Sequence, residues 1–193
     1  EIRGAGNLLG AEQSGHIEAV GFDMYMEMLE NTVSELKGEK TTTAIESILD
    51  LKVTAIVSEK YIENPETRLS VYRKIASAKD VNSLKRLSNE LKDRFGPPPE
   101  ETQRLIHIME LKVMAMKLFI TRIENIDGRI KILFAPETPV MPPQLFDLHK
   151  TRKGWIKFLP EGGIELNLKG KPWIKIFNEL IEIMKELGSD EDI

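Results

Sequence analysis

Apolar residues recur along most of this chain at the steps that a helix or a strand imposes. Phe22, Tyr25, Leu29, Val33 and Leu36 step by three and four residues, with Glu27, Glu30 and Glu35 on other faces, which predicts an amphipathic helix ending near Gly38. Residues 38–50 start polar and threonine-rich and read as a linker. Leu51–Ile56 alternates apolar with polar or small residues and is rich in branched side chains, the pattern of a strand. Asn64-Pro65-Glu66 supplies a cap, a proline at the first helical position and an acid in the first turn, and Leu69, Tyr72, Ile75 and Ala76 form the apolar face that follows. Asp80 caps a second helix with Val81, Leu84, Leu87, Leu91 and Phe95 on one face, stopped by Gly96 and three prolines.

Glu100 to about Ile120 is the longest predicted helix, apolar nearly all round except for a stripe through Gln103, His107, Glu110 and Lys117. So little polar surface predicts burial on several sides. Ile123–Phe134 alternates about Asp127-Gly128, a two-residue hairpin signal. Pro142–Lys150 predicts a short helix, Trp155–Leu159 and Ile164–Leu168 a second hairpin about Gly162-Gly163, and Lys171–Leu187 a last helix with Trp173, Ile176, Phe177, Leu180, Met184 and Leu187 inward. The SDEDI end reads as frayed. Hairpins mixed with helices and no βαβ repeat imply an α+β fold: a helical N-terminal motif, then a compact domain of several helices on a small, mainly antiparallel sheet.

The first 25 residues break these rhythms. Five glycines, Gly4, Gly6, Gly10, Gly15 and Gly21, fall among Arg3, Gln13 and His16 without a hydrophobic period. Each glycine costs a helix about 1 kcal/mol relative to alanine, so the stretch is built to turn sharply and place polar side chains. The charge is uneven too. Residues 1–50 carry ten acidic and three basic side chains, a net of −7, which leaves +3 for residues 51–193. With no cysteine, disulfides, thiol catalysis and cysteine-ligated zinc are excluded. No 18-residue apolar run suggests a membrane span. Because it opens on Glu1 with no leader, the chain is expected to be a piece of a longer protein of the cytoplasm.

Candidate chemistry is sparse. Gly4-Ala5-Gly6 starts a dinucleotide fingerprint, but Leu9 stands where the third glycine belongs and no strand precedes it. Gly38-Glu39-Lys40-Thr41 lacks the adjacent glycine–lysine pair of a phosphate loop. His107 and Glu110 lie one helical turn apart without a further metal ligand, and His149 beside Lys150, Arg152 and Lys153 reads as surface. Glu100-Glu101 suits a helix start better than acid–base work. No catalytic set and no metal site are predicted. Arg68, Arg73, Lys74, Lys79, Lys85, Arg86, Lys92 and Arg94 lie on two successive helices. Interspersed acids and the lack of aromatics favour a solvated face, a docking face for an acidic partner next, and nucleic acid third.

Glu1–Tyr25, EIRGAGNLLGAEQSGHIEAVGFDMY, resembles the translocation motif of RecG-type double-stranded DNA translocases, in the version found in bacterial transcription-repair coupling factors. Thr67–Ala78 and Glu90–Gly96 resemble the C-terminal domain of the latter. The resemblance implies three parts: a motif over residues 1–37, a linker over 38–50 and a regulatory domain over 51–193. It implies that ATP and magnesium bind upstream helicase lobes, with no cofactor in this fragment. The motif would contact those lobes and duplex DNA, converting hydrolysis into translocation, with Arg3 and Gln13 coupling, Gly4, Gly6, Gly10 and Gly15 allowing the turn, and His16 beside them. The domain would pack on an N-terminal UvrB-like module, masking UvrA binding and restraining the motor until RNA polymerase is engaged. Arg68, Arg73, Lys74, Lys85, Arg86 and Arg94 are the expected docking face. A DNA-binding accessory domain of a RecG-like helicase is the alternative.

Overall fold

A computed structural model describes residues 47–188. The glycine-rich motif, the helix expected over 22–36, most of the expected linker and the acidic end at 189–193 lie outside the described residues. Within them the elements run β1 (Ile48–Asp50), α1 (Pro65–Ala76), α2 (Val81–Phe95), α3 (Glu100–Lys117), β2 (Ile120–Ile126), β3 (Arg129–Phe134), α4 (Pro142–Thr151), β4 (Ile156–Leu159), β5 (Gly163–Asn167) and α5 (Trp173–Leu187). The five strands form one sheet in the order β1-β2-β3-β5-β4. Only β1 runs parallel to its neighbour, and the other three pairings are antiparallel, so the fold is α+β with a mixed, mainly antiparallel sheet.

The parallel pairing follows from the long crossover that carries α1, α2 and α3 between β1 and β2. It also moves a strand. The ladder forms at Ile48–Asp50, inside the stretch read as linker, and Leu51–Ile56 is not a strand. Lys52 adopts a left-handed conformation (φ 54°) just after β1. The backbone beyond it bonds to helices: Ile56 N–H donates to the Glu101 carbonyl (3.2 Å), the Thr102 hydroxyl to the Ile56 carbonyl (3.0 Å), and Val57 N–H to the Tyr72 hydroxyl (2.8 Å). The alternation at Leu51, Ala55 and Val57 is real burial, but across a passage from one core to another.

Two cores result. α1, α2 and the first half of α3 enclose Val71, Ile75, Leu84, Leu87, Leu91, Leu105 and Met109. The sheet packs Ile123, Ile130, Ile132, Ile156, Ile164 and Leu166 against Leu111, Met114 and Ala115 of α3, Leu148 of α4 and Ile176, Phe177, Leu180, Ile183 and Met184 of α5. α3 belongs to both cores, which is why its sequence is apolar nearly all round.

Local signals hold where they are chemically specific. Asn64 Oδ1 accepts from Thr67 N–H (2.8 Å) and Asp80 Oδ1 from Ser83 N–H (2.7 Å), capping α1 and α2. Asp127 and Gly128 both have positive φ, 53° and 82°, which matches the twist of the β2–β3 hairpin. The longest helix ends earlier than expected, at Lys117, because Phe119 takes φ 53° and lets β2 begin at Ile120.

Candidate docking surface

The basic positions of α1 and α2 separate on folding. Arg68 is 8% exposed. Its guanidinium donates to the carbonyls of Ile62 (2.9 Å) and Glu63 (3.0 Å) and to Glu59 (2.7 Å), so it fixes the loop before α1 and does not join a docking face. That is a correction to the sequence reading, and its cause is the α1 helical period, which turns Arg68 toward the side of Val71 and Tyr72. Arg73, Lys74, Lys85, Arg86 and Arg94 are exposed.

These remaining cations form an amphoteric surface. Lys74 Nζ bonds both oxygens of Glu90 (2.7 and 3.0 Å), and Arg94 reaches the same carboxylate (3.1 Å). Hydrogen bonds from these two cations, Lys74 first, hold the Glu90 carboxyl below its usual range. Arg86 donates to the Ser83 hydroxyl (3.0 Å). The Asp80 carboxyl is lowered chiefly by its bonds from Ser83. Lys74, Lys79, Asp80, Ser83, Arg86 and Glu90 rim an open depression of about 440 Å³ between α1 and α2. Lysines and arginine beside two ionised acids suit a partner that carries both signs.

Arg3, Gly4, Gly6, Gly10, Gln13, Gly15 and His16 lie outside the described residues. His107 and Glu110 occupy the seam of α3 with its neighbours. The His107 ring stacks on Phe177 (3.8 Å, 8° between planes), and Trp173 Nε1–H points at His107 Nδ1 (3.4 Å). Burial lowers the His107 pKa, keeping it neutral. Burial raises that of Glu110, against the pull of Lys85 on α2 and Lys185 on α5. Among the described residues no cluster of His, Asp and Glu fits a metal ion, and no helix is long and apolar enough to cross a membrane. His149, expected on the surface, is half-buried, with Nδ1 3.1 Å from the Ile156 carbonyl and its ring beside Phe158.

Arg152 is the junction that sequence reading missed. It bonds Glu186 through two nitrogens (2.8 and 2.7 Å) and Glu179 through Nε, tying the end of α4 to α5 and raising its own pKa, the Glu186 bonds contributing most. The signal was Glu179, Glu182 and Glu186, which share one face of α5 by their spacing.

Comparison with known proteins fits this architecture. The TRCF domain family matches residues 51–145, from the end of β1 into α4. The transcription-repair-coupling factor of Escherichia coli K12 is 40% identical over 153 residues, or 77% of this chain. The chain belongs to the transcription-repair coupling factor family. That of Bacillus subtilis 168 is 34% identical over 70% of the chain. A crystal structure of the C-terminal domain of a transcription-repair coupling factor superposes with a TM-score of 0.66 at 23% identity, covering 74% of this chain and 91% of that one, a match of fold. The chain spans only 13% and 12% of the lengths of the Escherichia coli and Bacillus subtilis relatives it matches.

Proposed function

We propose that residues 51–193 are the regulatory module of a bacterial, cytoplasmic ATP-dependent DNA translocase that couples repair to transcription by displacing stalled RNA polymerase. In this reading the module packs on the N-terminal UvrB-like part of the same protein, hides the UvrA-binding surface and restrains the motor. Residues 1–37, with Arg3 and Gln13, couple hydrolysis in the upstream lobes, which bind ATP and magnesium, to movement on duplex DNA.

The observation that carries the regulatory part is the mixed-charge depression between α1 and α2. It lies within the matched TRCF domain. Its exposed ion pairs are individually weak and screened by salt, so a contact made there would be reversible. Moving a two-state clamp from 1:99 to 99:1 takes only about 5.5 kcal/mol, within reach of a few such contacts and a partner's binding energy.

Deleting residues 51–193 from the full-length translocase is the test. Faster ATP hydrolysis and stronger UvrA binding are expected. Unchanged or slower hydrolysis with unchanged UvrA binding would refute the regulatory role. For the coupling role, Arg3→Ala or Gln13→Ala in the full-length protein should leave hydrolysis largely intact and abolish displacement of stalled polymerase, and normal displacement would refute it.

A further inference from the structure

The helices cover one face of the sheet, where Ile130, Ile132, Ile156, Ile164 and Leu166 are at most 1% exposed. Strand alternation turns Arg129 and Lys131 of β3, Glu165 and Asn167 of β5 and Lys157 of β4 to the opposite face. Asn167 N–H donates to the Trp155 carbonyl (2.8 Å), extending the ladder so that Trp155 falls on this face too. The residue is 46% exposed, an unusual position for so large an apolar side chain, and Lys171 Nζ lies 5.4 Å from the ring centre. Lys169 passes over the β2–β3 turn, against Gly128.

Five cations thus lie on or next to the sheet face that carries one exposed tryptophan: Arg129, Lys131 and Lys157 on the strands, and Lys169 and Lys171 on the segment after β5. Three acids stand near them: Glu165, in register between Lys131 and Lys157, Glu124 of β2, in register with Lys131 on its other side, and Asp127 in the turn. Among the described residues none of these five cations is part of an ion pair, and Glu124, beside Lys131, pairs with Arg122 instead (3.6 Å). Cations around an accessible ring are what a single-stranded nucleic acid requires: phosphates are drawn to the charges while an unpaired base stacks on the aromatic face. Duplex bases are already stacked and cannot use the ring, and an acidic peptide would use the charges alone. The basic face of α1 and α2 has the charges but no such ring.

We propose that this outer sheet face binds single-stranded nucleic acid, with one base stacked on Trp155 and the backbone on Lys157, Lys171, Lys169, Arg129 and Lys131. The proposal does not depend on the regulatory reading, which rests on the depression between α1 and α2 and not on this sheet face.

The test titrates the 193-residue chain into a fluorescein-labelled oligothymidylate at rising salt, following anisotropy, with a Trp173→Phe background so that tryptophan emission reports Trp155 alone. Expected are quenching on binding and an affinity that falls with salt. Trp155→Ala should weaken binding at least ~5-fold, the lower end for one stacked base, without changing the salt slope. Lys157→Ala and Lys171→Ala should each reduce that slope by about 0.7. Lys60→Ala, an exposed lysine in the loop before α1, should change nothing, and an unaltered melting temperature for Trp155→Ala confirms the fold. No binding at low salt, or full affinity in Trp155→Ala, overturns the proposal. Equal affinity for a duplex of the same length, or equal displacement by polyglutamate, overturns it in favour of a plain polyanion or acidic-protein surface.

Discussion

At Gly163 the backbone leaves no room for a side chain: an added Cβ would stand 2.2 Å from the Ile132 carbonyl oxygen. Gly163→Ala therefore has to push β5 away from β3, and a loss of about 1–3 kcal/mol is expected, read as a lower midpoint in urea. Tyr72 makes a different kind of commitment, because its buried hydroxyl is the acceptor for Val57 N–H. Tyr72→Phe keeps the packing and strands that donor, at a cost of about 1–3 kcal/mol, whereas a change within a few tenths of a kcal/mol would show that the bond is replaced. Glu110 works against the fold when ionised. Its folded pKa is raised, so the unfolded chain binds fewer protons in the window above the ordinary carboxylate value, and stability falls as pH rises through it. Glu110→Gln should accordingly be more stable than the parent at pH 7 and equal to it below about pH 4. The buried, neutral His107 acts in the opposite sense, losing stability as pH falls below about 6.5.

Elements differ in how far they were legible, and the difference tracks where their determinants lie. α1, α2 and the β2–β3 hairpin were readable because Asn64, Asp80 and Asp127-Gly128 act on backbone within three or four residues of themselves. β1 was misplaced because its partner, β2, lies some seventy residues away, and the alternation at Leu51, Ala55 and Val57 imitates a strand while serving two cores. Of the candidate docking residues, periodicity put the cations on α1 and α2 but did not tell that Arg68 faces inward. Arg152 was illegible without its partners, since Glu179 and Glu186 come from another helix. It joins α4 to α5, and Arg152→Ala should cost about 1.5–3 kcal/mol, the range for hydrogen bonds to charged groups, measured by chemical denaturation. Arg152→Lys should recover only part, because an ammonium cannot form the two-pronged bond to Glu186.

For the molecule as a whole, α3 decides cooperativity. Because its first half completes the helical core and its second half the sheet core, neither can lose structure without exposing apolar surface of the other. Leu105→Ala in one and Leu180→Ala in the other should each lower stability by about 2–5 kcal/mol, and each should shift one common transition. Trp155 leads into β4 and Trp173 opens α5 against the sheet core, so their fluorescence and the helical circular dichroism must change together, and two separated transitions would refute the coupling.

Among the described residues the chain enters this domain at the short strand β1, held by three residues of parallel pairing, the Ser47 hydroxyl on the Ile120 carbonyl (2.6 Å) and Asn125 on the Leu51 carbonyl (3.4 Å). Tension arriving from upstream is borne there before it reaches either core. A pull that peels β1 from the sheet edge sacrifices one brief ladder and leaves the body behind it folded, lengthening the tether by several residues. A strand so placed would act as a mechanical fuse, yielding to a pull before either core does.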